Sequence, residues 1–453
     1  MNPLLRRSRL VFLAALIISA MGPDVSAQIR YRGYLPRFPN PAPASGVGPG
    51  GGPANWLGGD ASFSCPLDAE RSYWSFADIG IAAQGVRERR EAANSTQGIS
   101  IGNSIAIATC RDGKFVAQHY YRGSAQHPLP FFLDLNNQAN DPTGTRLWLR
   151  KAIMIDRQLY IFAMQTNDTG GIFNTQIIRV LNPLESPQQW RYEYLNLGIF
   201  PAPRPGQAEK ITPAPVNFGN EAFLDPEGKY LFVYGMHCDH RSARDFFTKF
   251  KITALRIPLD DLRNAPAGSD LGPICQSMTR QPGVWKNTLH DPNDFHDVGI
   301  PAYNGFSTRY NATLKAWQAV FCHDGILAEY FTGSRKFDDP LVNSVFVMTS
   351  ASPWGPWTRP VPVSRYPEMD AAHDALTDRP HGPDCLGYFA SEQPAFETWD
   401  GTIVFSYTIG SYAELRHHDG NPKLDNLKLY NVYTWSAPHP LFGPLPPDRP
   451  EPR

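Results

Sequence analysis

Residues 56–81 read WLGGDASFSCPLDAERSYWSFADIGI, two short aromatic-rich runs separated by the polar turn Leu67-Asp68-Ala69-Glu70-Arg71. Gly58-Gly59 stands before the first run and Gly80 near the end of the second. Breakers placed this way bound strands, so the stretch predicts one β-hairpin. In its second strand, side-chain alternation puts Trp74, Phe76 and Asp78 on one face and Tyr73, Ser75 and Ala77 on the other. An acid thus closes an aromatic face, while a second acid, Asp60, follows a glycine pair that permits close backbone approach. Asp is common wherever a strand begins or stops, so either residue alone reads equally well as turn chemistry.

The pattern returns along the chain. IGNSIAIATCRDGKFVAQHYY follows, with Asp112-Gly113 as a hairpin turn between strands at 105–110 and 115–121. RLWLRKAIMIDRQLYIFAMQ turns at Asp156-Arg157 and is trailed by a strand near 176–181, and NEAFLDPEGKYLFVYGMH turns at Asp225-Pro226-Glu227-Gly228. GFSTRYNATLKAWQAVFCH turns near Asn311-Ala312, and SEQPAFETWDGTIVFSYTIG at Asp400-Gly401. Five units over roughly 380 residues repeat about every 76, room for a four-stranded sheet with large loops. The expectation is an all-β fold, a five-bladed β-propeller over residues 56–436. Two stacked β-sandwiches would explain the strands but not the fivefold return of one pattern.

The flanks differ in composition. Residues 1–27 carry Arg6, Arg7 and Arg9, an apolar run over 10–21 and Val25-Ser26-Ala27, the pattern of a signal peptide, which predicts a secreted or periplasmic protein. Residues 28–55 are rich in Pro and Gly and read as a flexible linker, and 437–453 as a proline-rich peripheral tail. Lys+Arg at 42 against Asp+Glu at 43 leaves no global field to hold a nucleic acid or an anionic bilayer. No stretch after the leader is long and apolar enough for a membrane span, and a monomer is expected. Six cysteines, Cys65, Cys110, Cys238, Cys275, Cys322 and Cys385, would suit up to three disulfides in an oxidising compartment.

The repeat turns scattered acids into candidates. At equivalent starts of the inner strands stand Asp60, Arg150, Glu221, the neutral pair Gly305-Phe306 and Glu392. Three carboxylates and a cation would converge on the axis, each perturbing the others, as acid and base work requires. Glycoside hydrolysis needs one carboxyl kept protonated for the leaving oxygen and one ionised to activate water or attack the anomeric carbon. Asp60, Glu221 and Glu392 are therefore the expected catalytic set. Asp78, Arg150, Asn220, His296, Asp297, Trp354 and Trp399 are expected to contact substrate, the tryptophans by offering flat faces to sugar rings or, equally, by packing between sheets. No cofactor is required. The loop LHDPNDFHDVG, with His290, Asp291, Asp294, His296 and Asp297, is where a structural divalent cation such as calcium would sit, unless it is simply a solvated loop. The run Met236-His237-Cys238-Asp239-His240 offers metal-binding types, but neighbours on a strand point to opposite faces.

The segments GGDASFSCPL, RSYWSFADIG and GNSIAI, with TSASPWGPWTRPVPV downstream, resemble the secreted bacterial five-bladed propellers of a domain-of-unknown-function group that includes endo-D-arabinanases. More distantly the chain is similar to arabinanase and xylosidase propellers. The resemblance implies a polysaccharide partner and a base, an auxiliary carboxylate and an acid from units one, two and three. Asp60 matches the first and Glu221 the third. The second unit offers Arg150, leaving Asp78 or Glu392 to substitute, and Phe76-Ala77-Asp78-Ile79 stands where related chains read Phe-Gly-Asp-Thr. A propeller that binds glycan without hydrolysing it is the reading from another class.

Overall fold

The computed structural model describes residues 31, 33–86, 98–133, 145–167, 172–197, 216–238, 250–287, 294–302, 305–322, 344–366, 385–397, 401–411 and 431–442. Strands β1 (Ala42–Val47), β2 (Pro53–Trp56), β3 (Asp60–Pro66), β4 (Arg71–Ala83), β5 (Gly98–Arg111), β6 (Lys114–Gly123) and β7 (Pro128–Leu129) form the first sheet. The second holds β8 (Thr145–Ile155), β9 (Gln158–Asn167), β10 (Ile172–Val180) and β11 (Tyr192–Asn196). The third holds β12 (Val216–Leu224), β13 (Tyr230–Cys238), β14 (Phe250–Pro258), β15 (Gln276–Met278) and β16 (Trp285–Lys286), with the short helix α1 (Leu259–Asn264) after β14. The fourth holds β17 (Phe306–Asn311), β18 (Ala316–Cys322), β19 (Ser344–Ser350) and β20 (Val361–Arg365), and the fifth β21 (Cys385–Glu392), β22 (Thr402–Ser411) and β23 (Asn431–Pro438). No helix among the described residues is long and apolar enough to cross a membrane.

Turn chemistry sets the hairpins. Asp112 and Gly113, and likewise Asp156 and Arg157, all have positive φ, the mirror-image turn geometry that matches strand twist. Asn311 accepts from the amides of Thr313 and Leu314, which starts the β17–β18 turn one residue later than Asn311-Ala312 suggests. Asp400 and Trp399 lie outside the described residues.

The first strand of each unit is its inner strand. β3 packs beside β8, β8 beside β12, β12 beside β17, β17 beside β21, and β21 beside β3, so the five close a ring. Apolar clusters fill the wedges between neighbouring sheets: Tyr73, Ile105, Leu149 and Ile161 between the first and second; Phe162, Ile177, Phe218 and Val233 between the second and third; Tyr234, Met236, Phe306 and Phe321 between the third and fourth; Val320, Val347, Phe405 and Tyr407 between the fourth and fifth. Each sheet buries both faces against its neighbours, which is how a propeller-like array makes one core from separate hairpins.

Four expectations need correcting. The array is four blade-like sheets and a closed five-stranded barrel, not five matching blades: β1 pairs β2, β2 pairs β4, β4 pairs β5, β5 pairs β6, and β6 returns to β1 in parallel, with β3 branching from β4. The barrel needs β1 and β2, so part of the expected linker 28–55 is ordered sheet; its apolar residues are few, but Phe38, Ala42, Ala44 and Ala54 are buried. Ala437 and His439 are buried as well, so the tail after the last unit starts packed rather than peripheral. Fourth, Cys65, Cys110, Cys275 and Cys322 stand as buried thiols rather than disulfides, with Cys110 pushed up to about 12 by burial.

Candidate functional site

The inner strands are not smooth. Pairing slips between Asp60 and Phe63 in β3, Leu149 and Ala152 in β8, Phe218 and Glu221 in β12, and Tyr388 and Ser391 in β21, whereas β17 pairs without a slip. These are β-bulges at one height of the ring, and three carry positive φ, at Ala61, Gly219 and Phe389. A bulge re-aims the residues around it, so the candidates are presented by the bulges themselves. Register also shows that they are not strictly equivalent: Asp60 precedes its bulge, Arg150 lies within one, Glu221 follows one directly, and Glu392 lies a residue further.

Asp60 opens β3 at 8% exposure, with Tyr388 Oη donating to its Oδ2 at 3.3 Å. Next to Tyr388, the Phe389 ring lies 4.8 Å below the Arg150 guanidinium carbon. β3 packs beside both β8 and β21, so this contact links the two strands that flank it, and Arg150 is buried. Beside Arg150, Lys151 turns the other way: its Nζ is 2.9 Å from Glu221 Oε1 and 3.2 Å from Oε2. Glu221 also accepts from the amides of Ala222 (2.8 Å) and Thr308 (3.2 Å) and is 1% exposed. Burial raises its carboxyl above the usual range, against the lowering effect of Lys151 and the two amides. Asn220 is fully buried, and neither its Oδ1 nor its Nδ2 has a hydrogen-bond partner among the described residues. Contacts therefore run from Asp60 through Tyr388, Phe389, Arg150 and Lys151 to Glu221, joining four of the five inner strands.

Glu392 belongs elsewhere. It lies on the opposite side of β17 from Glu221, where Arg309 Nη2 is 3.0 Å from Glu392 Oε1 and 2.7 Å from Glu397 Oε1. Gln318 Nε2 donates to Glu392 at 2.6 Å, and Gln318 Oε1 accepts from Asn311 and contacts His439 Nε2 at 2.8 Å. Burial raises both carboxyls; Arg309 and the surrounding donors bring Glu392 below the usual range and leave Glu397 well above it. The two acids meet at one guanidinium, which ties the fourth sheet to the fifth in a buried lock.

The remaining candidates scatter. Asp78, at positive φ, accepts from Trp148 Nε1 at 2.9 Å and ties the first sheet to the second. Asp297 accepts from the Gly299 amide, a local turn, and the His296 amide donates to Met278 O on β15, an outer strand of the third sheet. Trp354 is half-buried, with its ring 4.9 Å from Phe232 and 5.2 Å from Trp285, and serves packing. His290, Asp291, Asp239 and His240 lie outside the described residues, and no cluster of three metal-ligating side chains occurs among the described ones. Lys151 was missing from the sequence reading. Its signal is the adjacent cation pair in LWLRKAIMI, which forms the bulge of β8 and sends Arg150 toward Phe389 and Lys151 toward Glu221.

This geometry defines an all-β, propeller-like fold in which buried carboxyls and cations of the inner strands meet. Among solved structures it is similar to a protein from Bacteroides ovatus described as a hydrolase, at 14% identity over 84% of this chain and 86% of that one, with a TM-score of 0.51. It is also similar to a GH43 β-xylosidase/α-arabinofuranosidase from a compost metagenome (10% identity, 84% and 90% covered, TM-score 0.43) and a GH43_1 enzyme from Xanthomonas citri (9%, 85% and 89%, 0.41), both solved with xylotriose. At these identities the likeness is one of fold. No protein-family model matches the chain, and no curated protein matches it.

Proposed function

We propose that this is an exported glycoside hydrolase acting on a polysaccharide, with Asp60 and Glu221 as the catalytic carboxyls. One observation carries the reading: two carboxyls from different inner strands, joined through Tyr388, Phe389, Arg150 and Lys151, sit in contrasting environments, which is how one site runs acid and base chemistry together. Glu221, raised by burial, is the proton donor to the leaving glycosidic oxygen. Asp60, at the more open end, either takes a proton from the attacking water or itself attacks the anomeric carbon, and the carbon–oxygen bond breaks as Glu221 delivers its proton. Glu392, neutralised by Arg309, is a structural acid in this reading. The barrel takes the place of a fifth blade, and the resemblance to arabinan-cleaving propellers, with the xylotriose-bound neighbours, makes pentose glycans the substrates to screen first. The leader-like residues 1–27 support export.

One observation favours a glycan-binding propeller without hydrolysis: Glu221 is 1% exposed with both oxygens already bonded. Reducing-end release from arabinans, xylans and galactans decides between the two. Asp60→Asn and Glu221→Gln should each lower hydrolysis about 10²–10⁴-fold; Glu221→Gln also leaves the Lys151 ammonium without its anion and should lower the unfolding temperature, so its activity is read on protein that thermal unfolding shows to be folded. Glycan retention without reducing ends in the native protein would select the binding reading.

A further inference from the structure

We propose that Lys151 is a positioning residue that sets the charge carried by Glu221, delivered to it by the bulge of β8. This rests on the reading of Glu221 as the proton donor. The Lys151 ammonium reaches both oxygens, at 2.9 and 3.2 Å, from a side chain that is 19% exposed against 1% for Glu221. The other two donors are neutral backbone amides, of Ala222 on its own strand and Thr308 on β17. Among the described residues, titratable groups that face the carboxyl include Lys151 from β8 and Tyr234 from β13. Two opposed influences therefore decide its state: burial favours the neutral acid, and the ammonium favours the carboxylate. Lys151 alone can be removed without changing the burial. A sugar hydroxyl accepting from the Lys151 ammonium would draw it off the carboxylate, and Glu221 would then take up the proton it later donates.

The test is a pH titration of the Glu221 side-chain carboxyl by ¹³C NMR, with protein labelled at glutamate Cδ and the signal assigned using Glu221→Gln. Lys151→Met should raise the midpoint by about one pH unit or more, and Lys151→Arg should return it close to wild type. Lys151→Gln provides a second neutral variant if the methionine perturbs folding, which thermal unfolding reports. An unchanged midpoint in the neutral variants overturns the inference. In hydrolysis, the alkaline limb of kcat/KM should move upward in Lys151→Met in step with the NMR midpoint; a limb that stays in place also overturns it. Wild-type protein that releases no reducing ends refutes the hydrolase reading instead, and the NMR titration still decides whether Lys151 sets the charge of Glu221.

Discussion

His119 projects from β6 into the barrel, where its ring stacks on Trp56 at 4.3 Å and meets Phe76 at 5.4 Å and Phe38 at 6.1 Å. Neither ring nitrogen has a hydrogen-bond partner among the described residues, and burial lowers its pKa to about 3. The unfolded chain takes up a proton near pH 6.5 that the folded chain refuses, so the contribution of His119 is level above that pH. Stability is lost as pH falls from there toward about 3, at about 1.4 kcal/mol per pH unit. Urea unfolding of His119→Phe and wild type at pH 7 and 4.5 checks this. The stability difference should shift in favour of the variant by about 3 kcal/mol on going to the lower pH; a constant difference refutes the assignment. At this scale the sequence was partly legible. Asp60 and Glu221 stand out in the sequence because each follows a glycine in its unit; the structure sets Asp60 at the start of β3 and Glu221 behind a bulge within β12. Lys151 was missed because its partner comes from another sheet, and a sequence read in single repeats holds no such pairing.

Bulges are the elements that build the site, and they explain why the repeat was visible while its register was not. Hairpin turns such as Asp112-Gly113 and Asp156-Arg157 announce themselves by residue type, but a bulge adds residues to one strand without a fixed composition: Ala61-Ser62, Arg150-Lys151, Gly219-Asn220 and Phe389-Ala390 share nothing obvious. Aligning the units by their acids therefore placed Glu392 on the axis, where counting from the bulge places it in the lock with Arg309. Gly219 is the most constrained of these residues. Its φ is +102°, and an added Cβ would run into the Cβ and ring of Phe162 on the second sheet. Gly219→Ala combines backbone strain with overpacking, each costing about 1–3 kcal/mol. Urea unfolding should show that loss, and since the bulge aims Glu221, hydrolysis by the still-folded fraction should fall as well. A variant with native stability would show that the bulge is not held in this geometry.

Ring closure at the scale of the whole molecule falls to a segment whose composition argues against structure. Residues 31–56 hold few apolar side chains, but those few are placed where the ring needs them. Tyr31 donates its amide to Ala395 O in the connection between β21 and β22, packs on Phe396 at 4.9 Å, and donates its hydroxyl to Asp68 O and Arg71 O in the first hairpin. Thr434 donates to Pro36 O, Phe38 plugs the barrel against Trp74, Phe76 and Phe115, and β1 and β2 complete its wall. Ser64, Gln393 and Ser406 add direct bonds between the first and fifth sheets. Without the segment those bonds remain, but the barrel loses two of its five strands. Burying Tyr31, Phe38 and Trp56 contributes roughly 1.5–3 kcal/mol each, or about 5–9 kcal/mol together, against a typical total stability of about 5–15 kcal/mol. The loss is thus comparable to the whole. A chain beginning at Leu57 should fail to show a cooperative thermal transition, whereas one beginning at Gln28 should unfold like the full chain. Tyr31→Phe, which removes only the hydroxyl contacts, should cost about 1–3 kcal/mol and keep the transition cooperative. Cooperative unfolding at the wild-type temperature in the chain from Leu57 would show that the first and fifth sheets close the ring without this clasp.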